Sequence, residues 1–239
     1  SNNNMKNLSV ALLVFNEKDN INNTVINAYE TLTNISDSFE LWVFDNNSND
    51  GSHEIVEKLK DRFEFLKLYR QETNIGYAQN FYSALKIPKA KYKFIIDGDG
   101  QYDVKDVEIA MQKLKTNTEV IVGIRKPRKD PIVRILMSFF LGILSRFILG
   151  SKLKDINCGF RGMTERAEKL INISYNYNFV GPEVFILSEN NNLPLSEIKI
   201  NHYKRAGGKS YFTGFFKTIS SCLLMIKYLF QLRKLIKKS

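Results

Sequence analysis

The first half of the chain alternates short apolar runs with amphipathic segments, and this alternation limits the folds that the chain can adopt. Apolar runs of this length predict strands, and segments with helical spacing predict helices. The predicted strands are 8–15, 41–44, 65–69, 93–96 and 120–122, and the predicted helices between them are 21–32, 54–63, 76–85 and 104–114. Such a pattern predicts an α/β fold with a mostly parallel, doubly wound sheet and right-handed crossovers.

Polar side chains follow three of these predicted strands at the point where each strand ends. They are Asn16 and Glu17, Asp45, and the pair Asp97 and Asp99. Ligands of doubly wound sheets bind beyond the carboxyl ends of the strands. The sequence therefore predicts a binding site at this edge of the sheet.

The segment Asp97-Gly98-Asp99-Gly100-Gln101 is the most specific of these strand ends. Two carboxylates separated by one glycine suit Mg²⁺ or Mn²⁺, because these cations prefer oxygen ligands and keep positions free for phosphate and water. Gln101 offers a third oxygen. The alternative is turn chemistry alone, since Asp and Gly also favour tight turns at strand ends.

The positive charge of the chain is concentrated at its end. The formal net charge is +10, and ten Lys and Arg residues with no Asp or Glu lie between Lys199 and Ser239. The preceding 198 residues balance 25 basic against 25 acidic residues. A basic segment of this kind favours an anionic partner, either nucleic acid or an anionic membrane surface. Cys158 and Cys222 have no spacing typical of a metal site.

The second half contains two long apolar segments, neither of which has the composition of a membrane-spanning helix. The segment 132–149 includes Arg134 and Arg146, and the segment 219–230 is short and includes Lys227. A spanning helix needs about 20 apolar residues with few charges. We therefore expect both segments to lie on a membrane surface or to be buried in the fold.

The chain resembles family 2 glycosyltransferases of the GT-A fold, and within them the dolichol-phosphate mannose synthases and polyprenyl-phosphate glycosyltransferases. The resemblance covers about residues 8–212. The matching motifs, in the family's order, are Val14-Phe15-Asn16-Glu17, Asp45 through Gly51, Asn74-Ile75-Gly76, Asp97 through Gln101, Gly123-Ile124-Arg125, Asp155 through Arg161 and Arg205 through Ser210. Each motif is weak alone, whereas the ordered set is specific.

The resemblance implies a Rossmann-like GT-A domain over residues 1–211. Within it, residues 131–150 would form an amphipathic helix that faces the acceptor and a membrane. Residues 212–239 depart from relatives that end in transmembrane helices. Their spacing predicts a basic, amphipathic C-terminal helix whose apolar side includes Leu223, Leu224 and Phe230.

The resemblance also assigns the donor side of the site. The residues implied to bind the nucleotide-sugar are Phe15, Asn16, Glu17, Asp45, Asn74, Gly76, Asp97 and Gly98. Asp97, Asp99 and Gln101 would hold the Mg²⁺ or Mn²⁺ ion that bridges the diphosphate. Asp50 is expected to cap the next helix instead of contacting substrate. The nucleotide, UDP or GDP, stays open because Asp45-Asn46 replaces the commoner pair of aspartates.

The acceptor implied by the resemblance is a polyprenyl (dolichyl or undecaprenyl) phosphate. The residues implied to bind its phosphate are Arg125, Arg134, Ser138, Arg205 and Ser210, and those implied to act in catalysis are Asp99, Arg125 and Arg205. Arg134 has an alternative interpretation as an arginine that extends from a membrane-surface helix to water. Asp155 is expected either to orient an arginine or to form a structural ion pair.

The implied reaction is an inverting transfer. Ordinary inverting members carry a Glu-Asp pair whose Asp acts as base, but Pro182-Glu183-Val184 has no Asp after the Glu. A phosphate acceptor is already an anion and needs no strong base, so the missing Asp favours it. Glu183 stays an alternative base.

These expectations place the chain at the cytoplasmic face of an anionic membrane as a peripheral protein, and several relatives bind a small membrane protein. Two alternatives remain open. One is a family 2 enzyme that extends a cell-surface glycan through a sugar hydroxyl. The other is a basic module without catalysis that binds a membrane or nucleic acid. Nucleic acid is not expected as a partner, because the basic residues accompany apolar segments rather than base-stacking aromatic side chains.

Overall fold

The computed structural model describes residues 5–177, 179–205, 207 and 215–236, apart from the side chains of residues 133, 215–219 and 221. The strands are β1 (Lys6–Val14), β2 (Phe39–Asp45), β3 (Leu66–Arg70), β4 (Ala90–Asp97), β5 (Val120–Arg125), β6 (Phe160–Thr164) and β7 (Leu195–Ile200). The helices are α1 (Ile21–Ile35), α2 (Ser52–Lys60), α3 (Tyr77–Lys86), α4 (Asp106–Leu114), α5 (Ile132–Leu149), α6 (Glu165–Leu170), α7 (Gly181–Asn190) and α8 (Phe215–Arg233).

These strands form one sheet in the order β3-β2-β1-β4-β6-β5-β7. β6 is antiparallel to both of its neighbours, β4 and β5, and the other neighbouring pairs are parallel. The predicted mostly parallel α/β fold is confirmed. β6 itself was not predicted, because its five residues include Arg161 and Gly162 and lack the pattern of a strand.

Both faces of the central strands are covered by helices. Leu8, Val10 and Leu12 of β1 belong to one apolar cluster that includes α1, whereas Ala11 and Leu13 belong to a second cluster that includes α3. Burial on both faces is typical of parallel sheets. The polar loops at the carboxyl ends of the strands are thereby confined to one edge of the sheet.

The C-terminal helix α8 packs on the domain. Met225, Tyr228, Leu229 and Leu232 are buried and follow helical spacing. The centroid of the Tyr228 ring lies 4.6 Å from that of Tyr177. Of the two expectations for segment 219–230, a membrane-surface helix or a helix buried in the fold, the described part of α8 agrees with the second on one face, which is part of the hydrophobic core.

Helix α5 remains largely uncovered on one side. Ile132, Phe139 and Phe147 are 75%, 61% and 84% exposed. The expectation that this segment lies on a surface agrees with these exposures. In the described ranges, no helix has both the length and the apolar character that crossing a bilayer requires.

Candidate active site

A cleft of about 280 Å³ opens at the carboxyl ends of β1, β4 and β5. The predicted site residues that line it are Phe15, Glu17, Asn74, Gly76, Asp97, Gly98, Asp99, Arg125, Arg134, Ser138 and Arg205. Asn16, Asp45 and Gln101 are not among its lining residues, and Ser210 lies outside the described residues. Most residues of the predicted donor and acceptor sites thus share one cavity.

The turn that carries Asp97 and Asp99 is held against its neighbours by two close approaches. The Gly98 N–H donates to the Leu13 carbonyl at 2.8 Å, and a Cβ on Gly98 would lie 2.7 Å from a Val14 methyl group. A Cβ on Gly159 would lie 1.9 Å from Asp97 Oδ2. Only glycine fits at either position, so both glycines fix where the carboxylates lie.

Burial makes both of these carboxylates hold protons more tightly than usual. Burial raises the pKa of Asp97 to about 6, with a further contribution from the negative charge of Asp99. Burial also raises the pKa of Asp99, against the opposing effect of the Arg205 charge. The Tyr77 hydroxyl donates to Asp97 Oδ1 at 2.8 Å. A cation bound at this pair would relieve the repulsion between them.

The oxygen chemistry of this pair fits a hard divalent cation. The hydrogen bonds to Asp97 and Asp99 from Tyr77 and from the Gln101 N–H both use Oδ1, which leaves each Oδ2 for a metal. In the described part of the chain, no group of three or more His, Cys, Asp or Glu side chains is arranged to hold a metal ion. The protein offers two carboxylates, and phosphate and water oxygens are the usual remaining ligands of Mg²⁺.

Gln101 differs from its predicted position. Its Nε2 donates to the Tyr203 carbonyl at 3.1 Å, and its side chain is buried outside the cleft lining. The physical reason is the turn at Gly100, whose φ is +76°, after which the chain leaves the cleft. The assignment of Gln101 to the metal is therefore not supported by this geometry.

Glu17 and Arg205 close one side of the cleft. Arg205 Nη2 donates to Glu17 Oε1, and Asn20 Nδ2 donates to Glu17 Oε2 at 3.0 Å. Burial raises the pKa of Glu17 to about 7, although the Asn20 hydrogen bond and the Arg205 charge lower it. This ion pair joins the segment after β7, which carries Arg205, to the loop after β1. Arg205 therefore lies at the cleft, where it was predicted to act.

Asn16 and Asp45 accept hydrogen bonds from backbone N–H groups of the loop that follows β2. Asn16 Oδ1 accepts from the Asn49 N–H at 2.9 Å, and Asp45 Oδ1 accepts from the Ser48 N–H at 2.9 Å. Asp45 is only 1% exposed. Both residues lie outside the cleft lining and their Oδ1 atoms are occupied, whereas Asp45 Oδ2 is buried without a hydrogen-bond partner among the described residues. Their contacts with a nucleotide stay a prediction.

Asp50 accepts hydrogen bonds from the Ser52 N–H at 3.0 Å and from the Lys18 N–H at 3.0 Å. Ser52 is the first residue of α2, so the expected capping role is confirmed. These hydrogen bonds lower the pKa of Asp50.

An asparagine pair that the sequence did not indicate shapes the other side of the cleft. Asn46 Nδ2 donates to Asn74 Oδ1 at 2.9 Å, and Asn46 Oδ1 accepts from the Ile75 N–H at 3.0 Å. Asn74 Oδ1 also accepts from the Gly76 N–H at 3.0 Å, immediately before α3. Asn46 therefore positions Asn74, and both residues line the cleft.

Three arginines surround Asp130 at the start of α5. Arg128 Nε and Arg125 Nη1 donate to Asp130 Oδ2 at 2.7 and 3.2 Å, and Arg134 Nη1 donates to Oδ1 at 3.3 Å. The hydrogen bond from Arg128 and the arginine charges lower the pKa of Asp130. Arg128 also donates to Ser138 Oγ at 2.8 Å. We call Arg125, Arg128 and Arg134 the arginine cluster.

Arg125 is the most constrained member of the cluster. Its Nε and Nη2 donate to Asp155 Oδ2 and Oδ1, both at 2.7 Å, an ion pair that agrees with both expectations for Asp155. Arg125 is 7% exposed. With Asp155 and Asp130 both bound, Arg125 has a structural role in this conformation, and its predicted direct part in catalysis is not supported.

Arg128 is a cleft-lining arginine that the sequence did not single out. It lies in the basic loop between β5 and α5. Its guanidinium group is held by Asp130 in the same loop and by Ser138 of α5. Those partners are up to ten residues distant in the chain, so spacing alone does not reveal them.

Glu183 is excluded from the cleft lining. It is fully buried at the start of α7, accepts from the Ser174 N–H at 2.6 Å, and accepts from the Tyr228 hydroxyl at 3.3 Å. Burial raises its pKa. The alternative assignment of Glu183 as the base is therefore wrong for this conformation, and its role is to attach α8 to the domain.

A mostly parallel α/β sheet with a polar cleft at the carboxyl ends of its strands is typical of ligand-binding α/β proteins, and comparison with known proteins identifies the family. The model of the family "Glycosyl transferase family 2" matches residues 9–171. This match covers more than half of the chain. The chain therefore belongs to glycosyl transferase family 2.

Two curated proteins are similar to this chain in sequence. An uncharacterized protein of Methanocaldococcus jannaschii is 34% identical over 131 residues, which are 50% of this chain and 57% of that protein. Glycosyltransferase AglD of Haloferax volcanii is 23% identical over 207 residues, 81% of this chain and 32% of that protein. The chain thus spans between about a third and just over half of the length of these relatives.

Solved structures with the same fold include glucosyl-3-phosphoglycerate synthase from Mycobacterium tuberculosis. Its complex with Mn²⁺, UDP and phosphoglyceric acid has a TM-score of 0.72 at 15% identity, covering 98% of this chain and 80% of that chain. Its complex with Mn²⁺, UDP-glucose and phosphoglyceric acid has a TM-score of 0.69 at 14% identity, covering 98% and 81%. At this identity the likeness establishes the fold, and the expected GT-A fold is confirmed.

We expect Arg125→Ala to lower the free energy of unfolding by about 3–5 kcal/mol, because it leaves Asp155 and Asp130 without a buried partner. Urea denaturation measures this change. Arg166→Ala is the matched control: Arg166 is an exposed arginine 3.2 Å from Glu119, and its removal should cost less than about 1 kcal/mol. Equal effects of the two substitutions would contradict the structural role of Arg125.

We expect Gly159→Ala to displace the Asp97 carboxylate and to weaken Mn²⁺-dependent binding of UDP or GDP by about 10- to 100-fold. Calorimetry with and without Mn²⁺ measures the effect, and circular dichroism checks the fold. The control is Gly142→Ala in α5, where a Cβ would meet nothing within 4 Å. Unchanged metal-dependent binding by Gly159→Ala would remove Asp97 from the metal site.

Proposed function

We propose that this protein transfers a sugar from a UDP- or GDP-linked donor to the phosphate of a polyprenyl phosphate, with the aid of Mg²⁺ or Mn²⁺. The observation that carries the proposal is a single cleft in which the Asp97–Asp99 pair faces the arginine cluster beside an apolar helix surface. The first feature suits a metal–diphosphate donor, and the other two suit a lipid phosphate.

The donor side rests on Asp97 and Asp99, which would hold the metal. The metal would offset the negative charge that develops on the departing nucleoside diphosphate. Arg205 lies close enough to Asp99 for its charge to act on that carboxylate, and it would add a second positive charge at the diphosphate. Family membership and the Mn²⁺ and UDP bound in the solved glucosyl-3-phosphoglycerate synthase support this assignment.

The acceptor side rests on Arg128 and Arg134. Guanidinium groups bind phosphate through paired N–H donors, and the cluster carries three positive charges around one Asp130. A phosphate bound beside the cluster would neutralise positive charge that the single carboxylate of Asp130 does not balance. Arg125, held by Asp155, would contribute to the field without leaving its ion pair.

The charged residues of the cleft also favour a phosphate nucleophile. The described carboxylates that line it are Glu17, Asp97 and Asp99. The first is bound to Arg205 and Asn20, and the other two form the proposed metal site. No described carboxylate is left as a base for a sugar hydroxyl, whereas a phosphate monoester is already ionised near neutral pH.

The proposed step is one in-line displacement. A phosphate oxygen of the acceptor attacks the anomeric carbon as the bond from that carbon to the diphosphate oxygen breaks. The electron pair of the broken bond leaves with the nucleoside diphosphate, and the configuration at the anomeric carbon inverts. Positioning and charge stabilisation by the residues named above would supply most of the rate.

Helix α5 supports a lipid acceptor at a membrane surface. Met137 and Leu141 of α5 line the cleft, whereas Leu136, Phe139 and Phe140 of the same helix are 52%, 61% and 62% exposed. One helix thus connects the cleft to an outward-facing apolar surface, as an interfacial helix does. We propose that this surface rests on the cytoplasmic face of an anionic membrane.

A small phosphorylated acceptor is the second candidate. The solved glucosyl-3-phosphoglycerate synthase binds phosphoglyceric acid, and the arginine cluster would also suit such an anion. The exposed apolar residues of α5 have no role in that reaction, so the lipid acceptor accounts for more of the structure.

A transfer assay tests the proposal. We expect Mg²⁺- or Mn²⁺-dependent addition of one sugar to a short polyprenyl phosphate from at least one of a panel of UDP- and GDP-sugars, read by mass spectrometry of the lipid. Asp99→Asn should lower the rate at least about a hundredfold, and Asp37→Asn, at an exposed carboxylate, should not. Donor hydrolysis without lipid product, or transfer only to 3-phosphoglycerate, would reject the lipid acceptor.

A vesicle-binding assay tests the membrane surface. We expect Phe139→Ser to weaken binding to phosphatidylglycerol vesicles about tenfold, because a buried phenyl ring contributes about 1.5–3 kcal/mol. Ile109→Ser is the control, because Ile109 is a 57% exposed apolar residue of α4. Equal vesicle binding by the Phe139 variant and the unaltered protein would show that α5 does not contact the bilayer.

A further inference from the structure

Arg161 is an unusually buried arginine. It is 2% exposed and is the largest fully buried side chain among the described residues. Its Nη2 donates to the Ile156 carbonyl at 3.4 Å, whereas Nε and Nη1 have no hydrogen-bond partner in the described part of the chain. Within the same residues, no carboxylate oxygen lies within ion-pairing distance of it. A buried guanidinium with unused donors is costly, so its retention requires an explanation.

Arg161 and Asn157 both line the cleft, and we call the part that they line its floor. Asn157 Oδ1 is also buried without a hydrogen-bond partner among the described residues. The Arg161 guanidinium also lies 5.6 Å from the centroid of the Phe81 ring, and Tyr77 lines the same part of the cleft. One acceptor atom, Asn157 Oδ1, and two donor atoms, Arg161 Nε and Nη1, are therefore available to a ligand beside aromatic rings.

The charge of this floor indicates a neutral ligand. The Asp97 carboxylate is close enough to Arg161 for the two charges to attract, so the positive charge of Arg161 is already partly balanced. The phosphates of a donor would instead be drawn to the metal site and to Arg205. The unpaired atoms of Arg161 and Asn157 need a ligand that can both accept and donate hydrogen bonds. Sugar hydroxyl groups do both.

We propose that Asn157 and Arg161 bind hydroxyl groups of the donor sugar and select which sugar enters the cleft. Arg161 Nε and Nη1 would donate to hydroxyl oxygens, and Asn157 Oδ1 would accept from a hydroxyl proton. This inference rests on the proposed nucleotide-sugar donor, but it does not depend on the identity of the acceptor.

The test compares nucleotide-sugars with the free nucleotides. Calorimetry with Mn²⁺ gives the affinities of UDP-glucose, UDP-N-acetylglucosamine and GDP-mannose against UDP and GDP. For the tightest sugar donor, we expect Arg161→Met to weaken binding at least about tenfold while changing binding of the free nucleotide less than twofold. Donors that lack one hydroxyl should be discriminated by the unaltered protein and not by this variant.

Two further variants keep the test decisive. Asn157→Ala should show the same selective loss, and it decides the matter if Arg161→Met does not fold. Arg166→Met, at an exposed arginine of α6, should change neither affinity. Unchanged binding of the nucleotide-sugar, or equal loss of sugar donor and free nucleotide, would overturn the inference. No binding of any nucleotide by the unaltered protein would instead overturn the proposed function.

Discussion

Repulsion between two neighbouring carboxylates determines much of this site. Burial raises the pKa values of both Asp97 and Asp99, and the negative charge of Asp99 raises that of Asp97 further. The structure compensates with a hydroxyl from Tyr77 and with the positive charges of Arg161 and Arg205. This compensation is partial, since none of these groups is a direct ion-pair partner of either carboxylate. A divalent cation would complete it, which couples metal binding to the arrangement of the surrounding residues.

The arginine cluster shows the opposite arrangement, in which acidic residues hold positive charges together. Asp130 accepts from three guanidinium groups, and Asp155 binds one of them through both oxygens. Three arginines and two aspartates leave an excess of positive charge. Because Asp155 fixes Arg125, adjustment to the proposed acceptor phosphate would fall to Arg128 and Arg134, which are more exposed. The cluster is already ordered by its ion pairs, which would lower the ordering cost of binding such a phosphate.

The sequence predicted what depends on local pattern. The strands, the parallel sheet and the position of Asp97 and Asp99 follow from periodicity and from strand ends. Long-range packing was not accessible: α8 is apolar on several sides, so its spacing did not distinguish buried Tyr228 from exposed Phe230. Asn16 and Asp45 have the right residue types for a ligand, but the loop after β2 uses the Oδ1 atom of each. Polar residues at strand ends can either bind a ligand or hydrogen-bond to a neighbouring loop. Residue type alone does not distinguish these two roles.

The cleft is built from residues inside and beyond the family match. Strands β2 to β5, the Asp97–Asp99 turn and the arginine cluster lie within the matched residues 9–171. Phe179, Arg205 and Met225 line the cleft from beyond it, and α8, which carries Met225, packs against α5. Changes in α8 need not move the carboxylates, because close approaches at Gly98 and Gly159 fix their turn. In the proposed reaction, the donor side would therefore be the more constrained half of the site, and the shape of the acceptor side would depend on how α5 and α8 pack together.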